Sequence, residues 1–443
     1  MHEADDDPHP SLCHVITRAG QHRSVPAATE SPTAGAEESP SARPGLRAAR
    51  AATALVFFLT GAVFATWAAR LPALTERLDL SPGGTSVALA GVEAGALGGL
   101  VVAGRLVNGL GSARSLRVGF VAYPTALVAV AAAPSLGWLL AAMAVMGVAN
   151  SAIDVAMNVQ GVELERRYGR PLLSGLHSAH SFGVVAGGVG GTLCAARAVP
   201  LTAHFVAVAG IALVASQLSM GALLRERREG ADHDAPCDRE SRPGAADDAR
   251  RAHRRLVAIG LLASGAFFVE GAASDWSAIE LRTVHGAGPG VAGAAFTTFS
   301  LALALSRLAA DRLVARHGRA RFTRAAASVA AIGAGAVVVS GSAGVALIGW
   351  AVVGAGVAGI APTLLGAAPG ASAAPSSVAI ATVSAIGYSG SFAGPPIIGA
   401  LASLTSLPAA LASLVVGAGA IALFARRTLS DGDRGASEPR GAA

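Results

Sequence analysis

VGFVAYPTALVAVAAAPSLGWLLAAMAVMGVANSA, residues 118–152, contains no Asp, Glu, Lys or Arg. A helix needs about 20 apolar residues to cross a bilayer. This run holds the greater part of two such helices, with a break at Pro134 and Ser135 between them. A second charge-free run covers 343–402, and apolar spans of similar length recur along the chain. Only helices and closed barrels satisfy every backbone group in lipid, and barrel strands alternate apolar with polar residues. Continuous runs therefore mean helices. Composition agrees: 52% of residues are hydrophobic and 14% charged, where a soluble chain averages about 25% charged.

Working outward from that stretch, twelve spans are expected near 51–71, 85–106, 116–134, 137–160, 173–196, 201–223, 256–281, 291–313, 323–341, 343–366, 376–402 and 406–425. The fold class is an all-α polytopic membrane protein of twelve transmembrane helices, arranged as two six-helix bundles (51–224 and 256–427). Residues 225–255 mix charges with Pro and Gly and read as a solvated linker. Residues 1–50 and 428–443 read as disordered tails. The first of these lacks the apolar core of a signal peptide.

A net charge of +6 could suggest a nucleic-acid partner, but the chain has no lysine, so all 34 basic residues are arginine. Most lie in the tails or in alternate connections between spans: Arg105, Arg114 and Arg117; Arg166, Arg167 and Arg170; the linker; Arg312 to Arg324; Arg426 and Arg427. That is the positive-inside pattern and not a basic face. It puts both termini and the linker in the cytoplasm, the membrane being the bacterial plasma membrane. Cys13, Cys194 and Cys237 show no disulfide or metal spacing.

The halves echo each other. FFLTGA (57–62) answers FFVEGA (267–272), SAHSFGVVAG (178–187) answers SAIGYSGSFAG (384–394), and GLGSARSLR (109–117) answers RHGRARFTR (316–324). A parallel repeat of six-helix halves is a transporter plan, with the substrate site at midplane.

GRLVNGLGSAR (104–114) and DRLVARHGRAR (311–321) resemble the signature loop of the major facilitator superfamily. The resemblance runs over about 51–427 and implies that fold, with Arg105, Asn108, Gly111, Arg114, Arg312, Arg316 and Gly318 as gating residues. The signature Asp is Asn108 in the first half and Ala315 in the second, so its charge is missing. Asp154 and Asn158 on the fourth span match the acid-x-x-x-Asn spacing of the fucose-permease-like branch, which implies proton coupling and sugar contact for them. That branch also carries an Asp in its first helix, where ATWAARLP (65–72) offers Arg70.

Charge at membrane depth is costly and faces a cavity or a partner. Asp154, Glu270 and Glu93 are the candidate proton-coupling acids. The structural alternatives are a polar packing stripe for Asp154 and an ion pair for Glu270; a gate is a third role for Asp154. Asn150, Asp154 and Asn158 share one helix face. With His177, His180, Trp67, Trp276 and Tyr388, the two asparagines make the candidate substrate-binding set, the tryptophans doubling as interfacial aromatics. His204 near a span end reads as structural, and Asp275 and Arg307 are further charges within spans 7 and 8.

Two histidines without a third ligand do not make a metal site, and no run has a phosphate loop's GK[ST]. No cofactor and no metal are expected. Ser181 beside His180 is no hydrolase pair, since adjacent helical residues point apart. The function expected is secondary active transport of a small polar, sugar-like solute by alternating access with proton coupling. The alternative is proton-linked export of drugs or hydrophobic metabolites, against which GGVGG (187–191) lacks the proline of the antiporter motif. The expected partners are a small-molecule substrate, protons and the lipid bilayer, the chain acting as a monomer.

Overall fold

A computed structural model describes residues 42–80, 82–224, 245–372 and 374–434. The expected tails lie outside these residues up to 41 and from 435, as does the linker over 225–244. The described residues form fourteen α-helices: α1 (Ala42–Ala69), α2 (Leu71–Arg77), α3 (Pro82–Leu110), α4 (Ser112–Ala131), α5 (Leu136–Tyr168), α6 (Leu173–Ala196), α7 (Leu201–Ser219), α8 (Ala245–Thr283), α9 (Pro289–His317), α10 (Arg319–Val338), α11 (Ala343–Val357), α12 (Ile360–Ala367), α13 (Ser376–Leu404) and α14 (Leu407–Arg434). Twelve spans emerge because α2 is a short surface helix and α11 and α12 are two pieces of one span. Among the described residues, seven helical stretches are long and apolar enough to cross a membrane by length and composition, α11 and α12 counting together as one.

Three edges differ from the sequence reading. Helix α1 starts at Ala42, inside the expected tail. Helix α8 starts at Ala245, so the end of the expected linker is helical. Helix α14 runs on to Arg434. In each case the helix runs past the apolar part of its span into a polar stretch that carries arginine.

The halves repeat their packing. Helix α3 lies on α5, α4 on α5 and α7; in the second half α9 lies on α11, and α10 on α11 and α14. Helix α1 pairs with α6 as α8 pairs with α13, both through bare backbone. A Cβ on Gly183 would stand 2.0 Å from the Phe58 carbonyl oxygen, and one on Gly390 would stand 1.9 Å from that of Ser264. Only glycine permits this approach. The caps repeat as well: Ser135 opens α5 by accepting from Trp138 N, and Ser342 opens α11 by accepting from Val345 N. Both serines follow the charge-free turns near 134 and 341.

Gly111 (φ 83°) and Gly318 (φ 78°) turn the chain between α3 and α4 and between α9 and α10. Side chains rarely adopt that conformation. Outside, large apolar side chains stand exposed, among them Leu218 (81%), Leu404 (80%) and Val416 (71%). A bilayer, not water, suits that surface.

Candidate functional site between the two halves

The site begins with a proline. In a continuous helix residue 362 would donate to the carbonyl of residue 358, but Pro362 has no N–H. The span breaks there: α11 ends at Val357 and α12 starts at Ile360. The freed Ala358 carbonyl accepts instead from Arg307 Nε on α9, at 3.0 Å. Arg307 is 7% exposed. Its Nη2 donates to Glu270 Oε1 and Oε2 on α8, at 2.9 and 3.1 Å. Its Nη1 donates to Ser181 Oγ on α6, at 2.8 Å, across the boundary between halves. One turn away Ser178 Oγ donates to the Ala304 carbonyl, also across it, at 3.0 Å.

The first half presents a second polar chain. Asn158 Nδ2 donates to the Asp154 carbonyl (2.9 Å) and to Asp154 Oδ1 (3.3 Å), while Asn158 Oδ1 meets His177 Nε2 at 3.1 Å. Asp154 and Asn158 are buried. Phe57 of α1 stands edge-on to the His177 ring. Tyr388 of α13 comes up beside Asp154 from the opposite half and rests on Phe267, ring centres 4.9 Å apart. Its hydroxyl lies within electrostatic reach of the Asp154 carboxylate, whose buried Oδ2 makes no well-formed hydrogen bond among the described residues. His180 lies within electrostatic reach of Arg307.

The structure thus brings Asp154, Asn158, His177, His180, Glu270 and Tyr388 to one region, and adds Arg307, Ser181 and Pro362. Asn150 is half-buried two turns along α5 from Asn158. Glu93 is exposed on α3, away from this cluster, and the charge it feels is that of Asp275 on α8. Trp67 is buried against Phe64, and Trp276 lies beside Gly399; among the described residues both indole N–H groups lack a hydrogen-bond partner.

At the arginine-rich end the halves meet around the start of α6. The first N–H groups of a helix have no partner within it. Here two carboxylates take four of them. Glu165 Oε1, from the same half, accepts from Leu172 N (2.8 Å) and Leu173 N (3.0 Å). Asp311, from the other half, accepts from Ser174 N (2.9 Å) and Gly175 N (2.7 Å). Arg319 Nη2 reaches back across to Glu165 Oε2 at 3.2 Å. The positive end of the α6 dipole favours both anions. Nearby, Gly104 of α3 passes close to Ser377 and Ala381 of α13.

Arg105, Asn108, Arg114, Arg312 and Arg316 are exposed at this end, while Gly111 and Gly318 form the turns described above. Asp311, Glu165 and Arg319 were not singled out from the sequence. Asp311 opens the second-half loop motif and was the available signal.

Twelve spans in two repeated halves, clasped at one end and bridged by polar side chains between the halves, define a polytopic transporter. The chain belongs to the major facilitator superfamily: it is 30% identical over 370 residues to an MFS-type transporter of Yersinia pestis, covering 83% of this chain and 92% of the relative. No family model matches it. Among solved structures it is similar to FucP in the outward conformation (TM-score 0.73, 16% identity, 86% of this chain and 98% of the other), which a further structure describes as the E. coli fucose:proton symporter. It is also similar to the proton:xylose symporter XylE (TM-score 0.65, 15% identity, 87% and 96%). The chain is a membrane transporter and not an enzyme.

Proposed function

We propose that this transporter moves a small polar, sugar-like solute by alternating access and couples that movement to protons through Asp154 and Glu270. The observation that carries the reading is Arg307, which bonds Glu270 in its own half and Ser181 in the other. A proton on Glu270 removes the charge that holds Arg307, and the bridge to Ser181 loosens with it. Asp154, one of whose oxygens makes no well-formed hydrogen bond among the described residues, lies across from this pair as the second acid. Asn158, His177, His180, Tyr388 and Asn150 supply the donors and acceptors a hydroxyl-rich solute needs, with Phe57 and Phe267 as flat apolar walls. With the arginine-rich end in the cytoplasm, the lock around α6 is the inner gate and the halves part toward the outside. Similarity in fold to sugar:proton symporters supports the class of solute.

Reconstituted protein under an imposed proton gradient, screened over sugars and polyols, tests the reading. Asp154→Asn is expected to abolish uphill uptake while exchange of solute between the two faces continues. Uphill uptake in Asp154→Asn with an unchanged pH profile would end the coupling role.

A further inference from the structure

Away from the central site, Arg321, Arg324, Ala325, Ser328 and Arg426 line a groove of about 430 Å3 between the start of α10 and the end of α14. All three arginines are exposed. Among the described residues none of them stands in an ion pair with a carboxylate. Three guanidinium groups on one concavity repel one another, so the groove suits a polyvalent oxyanion, which guanidinium forks grip in bidentate fashion.

The rows that continue from the groove are apolar. On α10, Ile332 follows Arg321 and Ser328 at helical spacing and is 70% exposed; on α14, Leu423 and Val416 follow Arg426 in the same way, at 69% and 71%. These rows run from the charged end toward the middle of the bilayer. A free anion would use the arginines alone. A phospholipid would use both, its phosphate on the arginines and its chains along the rows.

We propose that this groove is a binding site for an anionic phospholipid, whose headgroup braces the first turns of α10. That turn also carries Arg319, the residue that reaches Glu165 across the halves, so lipid on the outer face of α10 steadies the lock on its inner face.

The full-length protein in a neutral detergent is titrated with phosphatidylglycerol, with phosphatidylcholine or with inorganic phosphate, and its unfolding temperature is read. Phosphatidylglycerol is expected to raise that temperature, and the other two are not. The variant Arg321→Gln/Arg324→Gln/Arg426→Gln is expected to need about tenfold more phosphatidylglycerol or beyond for the same rise. Arg114→Gln/Arg117→Gln, removing charge from the same end of the first half, is expected to respond as wild type. An equal response to phosphatidylcholine, a response reproduced by phosphate alone, a wild-type titration in the triple variant, or an equal loss in the first-half variant would each overturn the proposal.

Discussion

Arg307 gives its donors to three elements at once: Nε to the broken span at Ala358, Nη2 to Glu270 on α8, and Nη1 to Ser181 in the other half. A buried ion pair adds little net stability, because desolvation offsets its attraction, and removing one partner leaves an uncompensated charge at a cost of about 3–5 kcal/mol when that charge is fully buried; the Glu270 side chain is 23% exposed, so the cost here is smaller. Arg307→Gln is therefore expected to lower the melting temperature of the purified protein. Glu270→Gln/Arg307→Gln is expected to recover most of that loss, while uphill uptake stays absent from both. If the single variant melts with the double, Glu270 is not the charge that Arg307 compensates. The sequence placed Glu270 and Arg307 on neighbouring spans without joining them. Depth along a span can be read from an apolar run, but the rotation that turns two side chains toward each other is set by packing.

At the scale of elements, the twelve spans were legible because hydrocarbon admits so few solutions: an apolar run of the right length must be a helix, and arginine marks alternate ends. Breaks within spans were less visible. The chain reads as one span over 343–366, and Pro362 divides it without any charged residue to announce the division. What Pro362 does follows from one missing N–H. In Pro362→Ala the backbone N–H returns and is expected to claim the Ala358 carbonyl, straightening the span and competing with Arg307 for its acceptor. The variant is expected to fold with thermal stability close to wild type, since Pro362 lies in the first turn of α12, where a missing N–H costs little. Its uptake rate is expected to fall severalfold. Unchanged uptake in a well-folded Pro362→Ala protein would show that the break serves packing alone. The lock at α6 was hidden for a related reason. Glu165 and Asp311 stabilise backbone N–H groups, which every residue has, so nothing in the sequence singles out Leu172–Gly175 as their target.

For the whole molecule, the two halves are alike in packing but unlike in how they close. At the start of α6 the second half supplies a carboxylate, Asp311, while at the matching place in the first half Gly104 passes the start of α13 with no side chain at all. A helix start met by an anion is held by charge and by two directed hydrogen bonds; one met by a glycine is held by close contact only. The arginine-rich end therefore has one strong clasp, reinforced by Arg319 on Glu165, and one weak one. Hydrogen bonds to a charged group contribute about 1.5–3 kcal/mol each, and every 1.4 kcal/mol is a factor of ten in an equilibrium. Asp311→Ala gives up both bonds and leaves Ser174 N and Gly175 N to water. That is expected to shift the balance between closed and open forms of this end by a factor of ten or more. Spin labels at Arg170 and Arg316, exposed on opposite halves at that end, are expected to show a longer distance gaining population in Asp311→Ala. Asp311→Glu, which keeps the charge, is expected to fall between that variant and wild type. Identical distance distributions in wild type and Asp311→Ala would mean that the clasp is incidental and that closure rests on packing between α3 and α13.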